Sequence, residues 1–145
     1  MKEYVMGKKT FFISLHCDSL SFDIYENANF TEDLDNHLSG GVCGYDDTFN
    51  AGFGVNTAAA SGALFRGGEG CGACYQVMCN YRLHPKWCLR RGVVTITTTN
   101  FCPPNNNGRW CDPPHQHFDM SMPAFLRIAR QGNEGIVPVL NKRLE

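Results

Sequence analysis

The sequence predicts a mainly β protein, a small barrel crosslinked by disulfides. Three observations carry this prediction: eight cysteines in 145 residues, an alternating apolar pattern from Cys71 to Cys79, and a β-branched run from Gly92 to Thr99. Short strands that outnumber helices are typical of a closed β fold. The chain has the length of one domain, and its cysteine content indicates an oxidising, extracellular compartment.

The residues before Asn29 show no clean period and are left unassigned. Thr10 to Leu15 form an apolar run, shorter than the roughly 7 to 15 residues of a signal-peptide core. Residues 1–27 are therefore interpreted as an atypical segment or a defective leader, in conflict with the secreted type of cysteine content. Asn29 begins an N-glycosylation sequon, which predicts a surface loop with Asn29 as the candidate acceptor.

The middle of the chain alternates between turns and apolar segments. Residues 39–45 form a glycine-rich turn, where glycine permits positive φ. Residues 57–65 fit either a short packed helix or an apolar strand followed by a turn. In residues 71–79, alternate positions from Tyr75 to Cys79 fall on one face, which is the period of a half-buried strand.

The last third of the chain predicts a loop, a helix and a strand. Residues 100–114 are rich in Asn, Pro and Gly, and a loop of that length is usually functional. A helix is predicted over residues 121–130, with its first serine as the cap and a glycine just past its end. Residues 135–140 predict a final strand, in which Pro138 indicates an edge or a bulge.

A zinc site is the alternative use of the cysteines. Cys71 and Cys74 have the CxxC spacing of a ligand pair, and His115 and His117 are further candidate ligands. No second CxxC or HxxxH in the sequence completes a tetrahedral set. Disulfides are therefore favoured, and neither a metal nor an organic cofactor is expected.

The charge of the chain excludes two classes of partner. The net charge is -1, whereas nucleic acids and anionic membranes are bound through clustered lysines and arginines. No apolar run approaches the roughly 20 residues of a membrane-spanning helix. The composition thus favours a polar, neutral partner, and we expect a monomer.

Eight motifs, in order and at family spacing, resemble the first domain of plant α-expansins. They are GGVCGY at 40–45, GVNTAAASGALF at 54–65, CGACYQVMC at 71–79, KWC at 86–88, TTTNFCPPN at 97–105, WCDPP at 110–114, HFDMSMPAF at 117–125 and GIVPVL at 135–140. The resemblance implies a six-stranded double-psi β-barrel over residues 28–145. It also implies secretion to the cell wall, with peripheral association there or at the membrane. The family's second, glucan-binding domain would follow where this sequence stops.

The resemblance also implies how the cysteines pair. The expected disulfides are Cys43 with Cys71, Cys79 with Cys88, and Cys102 with Cys111. In the family pattern, Cys74 pairs with a cysteine of the second domain, which leaves Cys74 unpaired here. Cys17 is extra and could substitute as its partner, since connectivity cannot be read from sequence alone.

Asp119 is the candidate catalytic residue that the resemblance implies. It matches the acid of family-45 endoglucanases, inverting enzymes of a similar barrel that need two carboxyl groups about 6.5 to 9.5 Å apart. Its alternative role is a helix cap. Expansins lack the second carboxyl group, whose place would lie near Asn29 to Asp33. Glu32 or Asp33 could restore it, or could simply be part of a solvated acidic turn.

A glycan site is expected around Asp119, because sugar rings stack on aromatic faces and hydroxyl groups need amide and carboxyl partners. The predicted polysaccharide-binding residues are Tyr45, Trp87, Asn100, Trp110 and His117. The leading hypothesis is non-hydrolytic loosening of contacts between cellulose and xyloglucan-type matrix polysaccharides. The alternatives are an inverting β-1,4-endoglucanase, a barwin-like or natriuretic-peptide-like secreted binding protein, and a truncated, inactive expansin.

Overall fold

The computed structural model describes the backbone of residues 2–6, 9–13, 23–31, 41–45, 52–104, 110–132 and 135–144, and the side chains from residue 41 onward within those ranges. The strands are β1 (Lys2–Met6), β2 (Lys9–Ile13), β3 (Asp23–Thr31), β4 (Thr57–Ser61), β5 (Cys74–Cys79), β6 (Val93–Cys102), β7 (His117–Ser121) and β8 (Ile136–Leu144). Two short helices, α1 (Gly62–Phe65) and α2 (Met122–Phe125), directly follow β4 and β7.

Six strands close into a barrel in the order β3-β7-β4-β6-β5-β8. The pairs β3/β7 and β4/β6 are parallel, and the other four pairs are antiparallel. The strands β1 and β2 form a separate antiparallel pair. The small barrel that the sequence predicted and the six strands that the resemblance implied are confirmed, and closure of the barrel leaves none of its strands with an unpaired edge. In this ring, β7 and β4 lie across the barrel from β5 and β8.

The barrel interior is filled by alternate residues of the strands. Tyr75, Val77 and Cys79 of β5 are buried, as the alternating pattern predicted. Phe118 of β7 is also buried and meets the Tyr75 ring edge-on, with a centroid separation of 4.9 Å. Because successive strand residues point to opposite faces, the neighbours of Phe118 along β7 lie on the outer face of the barrel.

The amino-terminal part of the chain is more regular than predicted. Strands β1, β2 and β3 all lie wholly or partly within residues 1–27, which showed no period in the sequence. Strand β3 begins at Asp23, before the predicted start of the barrel domain at residue 28. Asn29 is paired on both sides, with Asp119 in β7 and Ile136 in β8. The predicted loop at the sequon is therefore wrong, and glycosylation of Asn29 stays a prediction.

Three predicted elements differ in length or position. The helix predicted over residues 121–130 is shorter, and only α2 is helical. Ser121, the predicted cap, is the last residue of β7 and its side chain makes no capping hydrogen bond. The predicted loop over residues 100–114 begins later, because β6 continues through Cys102. Pro138 lies in β8, which is paired with β3 and with β5, so it is not in an edge strand. The pairing of β3 with β8 has an irregularity just before Asn27, the residue that pairs with Pro138.

Three disulfides join Cys43 to Cys71, Cys79 to Cys88, and Cys102 to Cys111, with Cα–Cα separations of 5.6, 5.3 and 5.9 Å. These are the three pairs that the resemblance implied. Each native disulfide in a small secreted domain typically contributes about 2 to 5 kcal/mol to stability.

Cys74 is also disulfide-bonded, so the prediction that it is unpaired is wrong. Cys17 lies outside the described residues. Since six of the eight cysteines pair with one another, we expect Cys17 to be the partner of Cys74 in the oxidised monomer. Peptide mapping by mass spectrometry without reduction should recover a crosslinked peptide that contains both residues. Recovery of alkylated Cys17 or of a disulfide-linked dimer would contradict this expectation.

Candidate functional site

The candidate site is a row of residues that crosses adjacent strands of the barrel. Asp119 of β7 lies opposite Ala59 of β4, and Ala59 lies opposite Asn100 of β6. On the other side of β7, Asp119 is in register with Asn29 of β3. Directly paired residues share one face of a sheet, and Phe118 and Met120 occupy the interior. The polar row Asp119, Ala59 and Asn100 therefore lies on the outer face.

The middle residue of this row is small. Ala59 is in register with Asp119 on one side and with Asn100 on the other, so only a methyl side chain separates the two polar positions. A register shift in β6 brings Asn100 to this position, because the pairing moves from Ala58 with Thr98 to Ala59 with Asn100. Such irregularities reposition side chains and are common next to functional sites. We refer to Asp119, Ala59 and Asn100 as the Asp119 row.

Burial changes the acidity of Asp119. Its side chain is half-buried, and its Oδ1 atom is buried without a hydrogen-bond partner among the described residues. Loss of hydration disfavours the carboxylate and raises the pKa of Asp119 to about 6. The group is therefore largely protonated in a mildly acidic medium, where it can donate a hydrogen bond.

Trp110 and His117 extend the Asp119 row along β7. His117 is buried and lies two residues before Asp119, on the same face of the strand. The ring of Trp110 is stacked on that of His117, with 6.3 Å between centroids and 20° between planes. Trp110 itself is 46% exposed. Trp110 also meets the His115 ring edge-on, with 6.5 Å between centroids, and its exposed part is available to a flat ligand beside His117.

The local sequence fixes the positions of Trp110 and His117. The disulfide between Cys111 and Cys102 ties the Trp110 segment to the end of β6. The Ser61 hydroxyl donates a hydrogen bond to the His115 carbonyl at 2.9 Å and accepts one from the His117 amide at 3.0 Å. The Trp110 segment is therefore held against β4 and β6 rather than hanging free.

Asn100 holds the glycine-rich turn 41–45 against the barrel. Its Oδ1 atom accepts hydrogen bonds from the Val42 amide at 3.0 Å and the Phe101 amide at 2.8 Å. A Cβ atom added to Gly41 would lie 2.5 Å from the side chain of Asn100, and Gly41 has a φ of +48°. Glycine is therefore required at this close approach. Asn100 therefore has a structural role, which is to anchor this turn, in addition to its predicted role in ligand binding.

The structural role of Asn100 leads to a testable prediction. Asn100→Ala removes the acceptor of two backbone amides, and we expect a loss of about 2 kcal/mol in the free energy of unfolding. Asn100→Asp is the matched control, because it retains the acceptor oxygen and should lose less than half as much. Denaturant unfolding of the oxidised proteins measures both values. Equal losses in the two variants would contradict the role of the Oδ1 atom.

The other two predicted aromatic residues are placed differently. Tyr45 belongs to the turn held by Asn100, and its ring packs on Phe53 with 4.6 Å between centroids. Trp87 packs over Gly132, where an added Cβ atom would lie 2.4 Å from its ring. Trp87 also packs against the core, contacts the ammonium group of Lys86, and forms backbone hydrogen bonds with His84 and Arg130. The described contacts therefore place Tyr45 beside the Asp119 row and Trp87 against the turn after α2.

Sequence reasoning overlooked Ala59 and Ser61. An alanine between two polar residues on neighbouring strands becomes meaningful only when the register is known. Ser61 follows an alanine run that predicts packing, yet its hydroxyl positions the His115 to His117 segment. The only sequence signal for either residue was their common location in the motif at 54–65.

The zinc alternative is wrong for its cysteine pair. Cys71 is bonded to Cys43, and Cys74 is also in a disulfide, so neither can supply a thiolate ligand. Within the described ranges, no group of three or more His, Cys, Asp or Glu side chains is placed to hold a metal ion.

Over those same ranges, no helix has the length and apolar character needed to cross a membrane.

The closed barrel, its disulfides and the outward-facing acid define a protein of the double-psi β-barrel class. Residues 57–140 match the family model DPBB_1, which is described as lytic transglycolase. The chain belongs to this family.

The chain is also similar to plant expansins, which confirms the resemblance found in the sequence. Expansin-A12 of Arabidopsis thaliana is 65% identical over 105 residues, covering 72% of this chain and 42% of that protein. The chain thus spans less than half the length of this relative.

Solved structures support the same fold at low sequence identity. The apo expansin of Clavibacter michiganensis superposes with a TM-score of 0.58 and 19% identity, covering 84% of this chain and 50% of that one. A mutant of the same expansin, in complex with cellohexaose, has a TM-score of 0.56 and 18% identity. The β-1,4-endoglucanase Cel45A of the blue mussel Mytilus edulis has a TM-score of 0.53 and 21% identity, covering 83% and 79%.

Proposed function

We propose that this barrel is a secreted plant cell-wall protein that loosens contacts between cellulose and matrix polysaccharides without cleaving glycosidic bonds. The observation that carries the proposal is the composition of the Asp119 row. The other residues of the row are Ala59 and Asn100, and Asn29 is in register with Asp119 on the other side of β7; none of the three is a carboxylic acid. Inverting hydrolysis requires a second carboxyl group about 6.5 to 9.5 Å away, to activate water.

The chemistry of the Asp119 row suits displacement of hydrogen bonds between glycans. Protonated Asp119 donates a hydrogen bond to a sugar oxygen, and the exposed face of Trp110 stacks on a pyranose ring. These contacts compete with those between neighbouring glycan chains. Because the pKa of Asp119 is raised to about 6, we expect loosening to increase as the pH falls through that value.

The polysaccharides are the finer part of the proposal. A Clavibacter michiganensis expansin with a similar fold was solved with cellohexaose, which makes a β-1,4-glucan chain the first ligand to test. Xyloglucan-type glycans share this backbone and are proposed as the second. We propose that the barrel acts as a monomer and without a cofactor.

Creep of heat-inactivated plant walls under constant load tests the proposal. The oxidised protein should extend the walls without releasing reducing sugar, and Asp119→Ala should reduce extension at least about tenfold, the loss typical of removing one site donor. Extension equal to buffer alone, from a folded protein that binds no glucan, would contradict the proposal and favour a barwin-like binding role.

Hydrolysis is the second candidate function, because Cel45A, which has a similar fold, is a β-1,4-endoglucanase. The second carboxyl group proposed from the sequence is that of Glu32 or Asp33, which lie outside the described residues. Release of reducing ends from a soluble β-glucan that is lost in both Asp119→Asn and Asp33→Asn would establish this reading. Release equal to the blank would end it.

A further inference from the structure

A concave surface lies on the wall of the barrel opposite to Asp119. A cavity of about 560 Å³ is lined mainly by Met78, Tyr81, Arg82, Pro85, Arg90 and Leu140. Its strand residues belong to β5 and β8, which lie across the barrel from β7 and β4. The volume falls in the range of roughly 300 to 1,000 Å³ that is usual for ligand sites. We call this cavity the basic pocket.

The charge at the basic pocket is of one sign. Residues 80–92 contain Arg82, Lys86, Arg90 and Arg91 and have no aspartate or glutamate. Neither Arg82 nor Arg90 forms an ion pair with any residue that the structure describes. The guanidinium group of Arg90 lies 5.8 Å from the centre of the Tyr81 ring. A whole-chain net charge of -1 therefore conceals a local excess of positive charge.

The walls of the basic pocket are held in place before any ligand binds. The disulfide between Cys79 and Cys88 closes the loop that carries Tyr81, Arg82 and Pro85. The Asn80 amide donates to the Pro138 carbonyl at 2.8 Å, and the Leu83 amide donates to the Asn80 carbonyl at 3.0 Å. A preformed site loses less conformational entropy on binding, so the pocket is suited to a ligand rather than to solvent alone.

We propose that the basic pocket binds an acidic saccharide, a glycan segment that carries uronate groups. Guanidinium groups hold carboxylates through paired, charge-assisted hydrogen bonds, and Arg82 and Arg90 supply two such groups. The Tyr81 ring and the apolar side chains of Pro85 and Leu140 provide surfaces for a pyranose ring. A nucleic acid is less well matched, because its affinity depends on many phosphate contacts spread along a basic surface.

Binding of an α-1,4-linked oligogalacturonate tests this inference, with its fully methyl-esterified form as the neutral ligand. Titration calorimetry should detect the acid, and esterification should weaken binding at least about tenfold, the contribution expected of one charge-assisted hydrogen bond. Arg82→Gln/Arg90→Gln should have an effect of at least the same size. The double variant Arg66→Gln/Arg143→Gln is the matched control, since it removes two exposed arginines outside the pocket.

Each further outcome of the titration has a definite meaning. Equal losses in the two double variants, or equal affinity for acid and ester, would overturn the inference. If single-stranded DNA or an anionic vesicle displaces the oligogalacturonate at equal charge, the pocket binds polyanions in general, and the proposal of an acidic saccharide is overturned. Asp119→Asn should leave oligogalacturonate affinity unchanged, because Asp119 lies on the other wall. The inference therefore does not rest on the proposed function, and either can fail alone.

Discussion

Asp119→Asn is expected to stabilise the folded protein at neutral pH by about 2 to 3 kcal/mol. Burial raises the pKa of Asp119 from an ordinary 3.8 to about 6. Between these values the folded state retains a proton that the unfolded state releases, so the free energy of unfolding falls as the pH rises. One pKa unit corresponds to about 1.4 kcal/mol. Asparagine has a similar shape and is neutral at every pH, so the variant escapes this cost.

Denaturant unfolding as a function of pH measures the effect. The advantage of Asp119→Asn should be absent below the ordinary pKa of 3.8, grow as the pH rises to about 6, and remain constant above it. Glu69→Gln removes one exposed carboxylate and serves as the matched control, with no comparable gain. A pH-independent difference between wild type and Asp119→Asn would show that the carboxyl group keeps an ordinary pKa.

The same variant connects stability with function. Proteins commonly retain a destabilising group where its chemistry is needed, and a half-buried acid whose Oδ1 atom has no hydrogen-bond partner among the described residues is such a group. Under the proposed mechanism, wall extension by the wild type should decline as the pH rises through about 6. Any extension that Asp119→Asn retains should not change over the same interval. A parallel decline in both proteins would assign the pH dependence to another group.

The parts of the fold that were predicted correctly follow from local pattern. The alternation in residues 71–79 depends only on which positions are apolar, and β5 has the predicted buried face. The β-branched run at 92–99 restricts χ1 and favours extended backbone, and β6 includes it. The three disulfide pairs came from the resemblance rather than from spacing, which leaves connectivity undetermined.

The errors arise where tertiary pairing outweighs local preference. Residues 23–31 have no apolar period, yet β3 is completed by hydrogen bonds from β7 and β8 on either side. The helix predicted over residues 121–130 ends at Phe125, because residues 128–130 bond to the distant segment 87–89 instead. The Leu89 amide donates to the Ile128 carbonyl and the Arg130 amide donates to the Trp87 carbonyl, both at 2.8 Å. No single-chain pattern reveals such long-range partners.

The sequence named candidate residues for the site but not their arrangement. The glycan-binding roles of Asp119, Asn100 and Trp110 stay predictions, and the row that Asp119 and Asn100 share with Ala59 depends on a strand register that sequence does not encode locally. The basic pocket was overlooked for a different reason. Averaging charge over the chain hid the four cations of residues 80–92. Local charge is the quantity that determines binding.

The two tryptophans should respond in opposite ways to replacement by alanine. Trp87 packs over Gly132 and against the core, so Trp87→Ala should lower the free energy of unfolding by about 3 kcal/mol while leaving glucan affinity unchanged in the folded fraction.

Trp110 is 46% exposed, stacks on His117 and meets His115 edge-on. Trp110→Ala should therefore alter stability by less than about 1 kcal/mol and weaken cellohexaose binding about tenfold, the contribution of a stacked aromatic ring and its buried area. Trp110→Phe is the control, because it retains an aromatic face and should recover part of that affinity. Denaturant unfolding and cellohexaose titration of the same preparations separate the two effects. If Trp87→Ala loses glucan affinity at unchanged stability, or Trp110→Ala retains it, the ligand lies on a surface other than the Asp119 row.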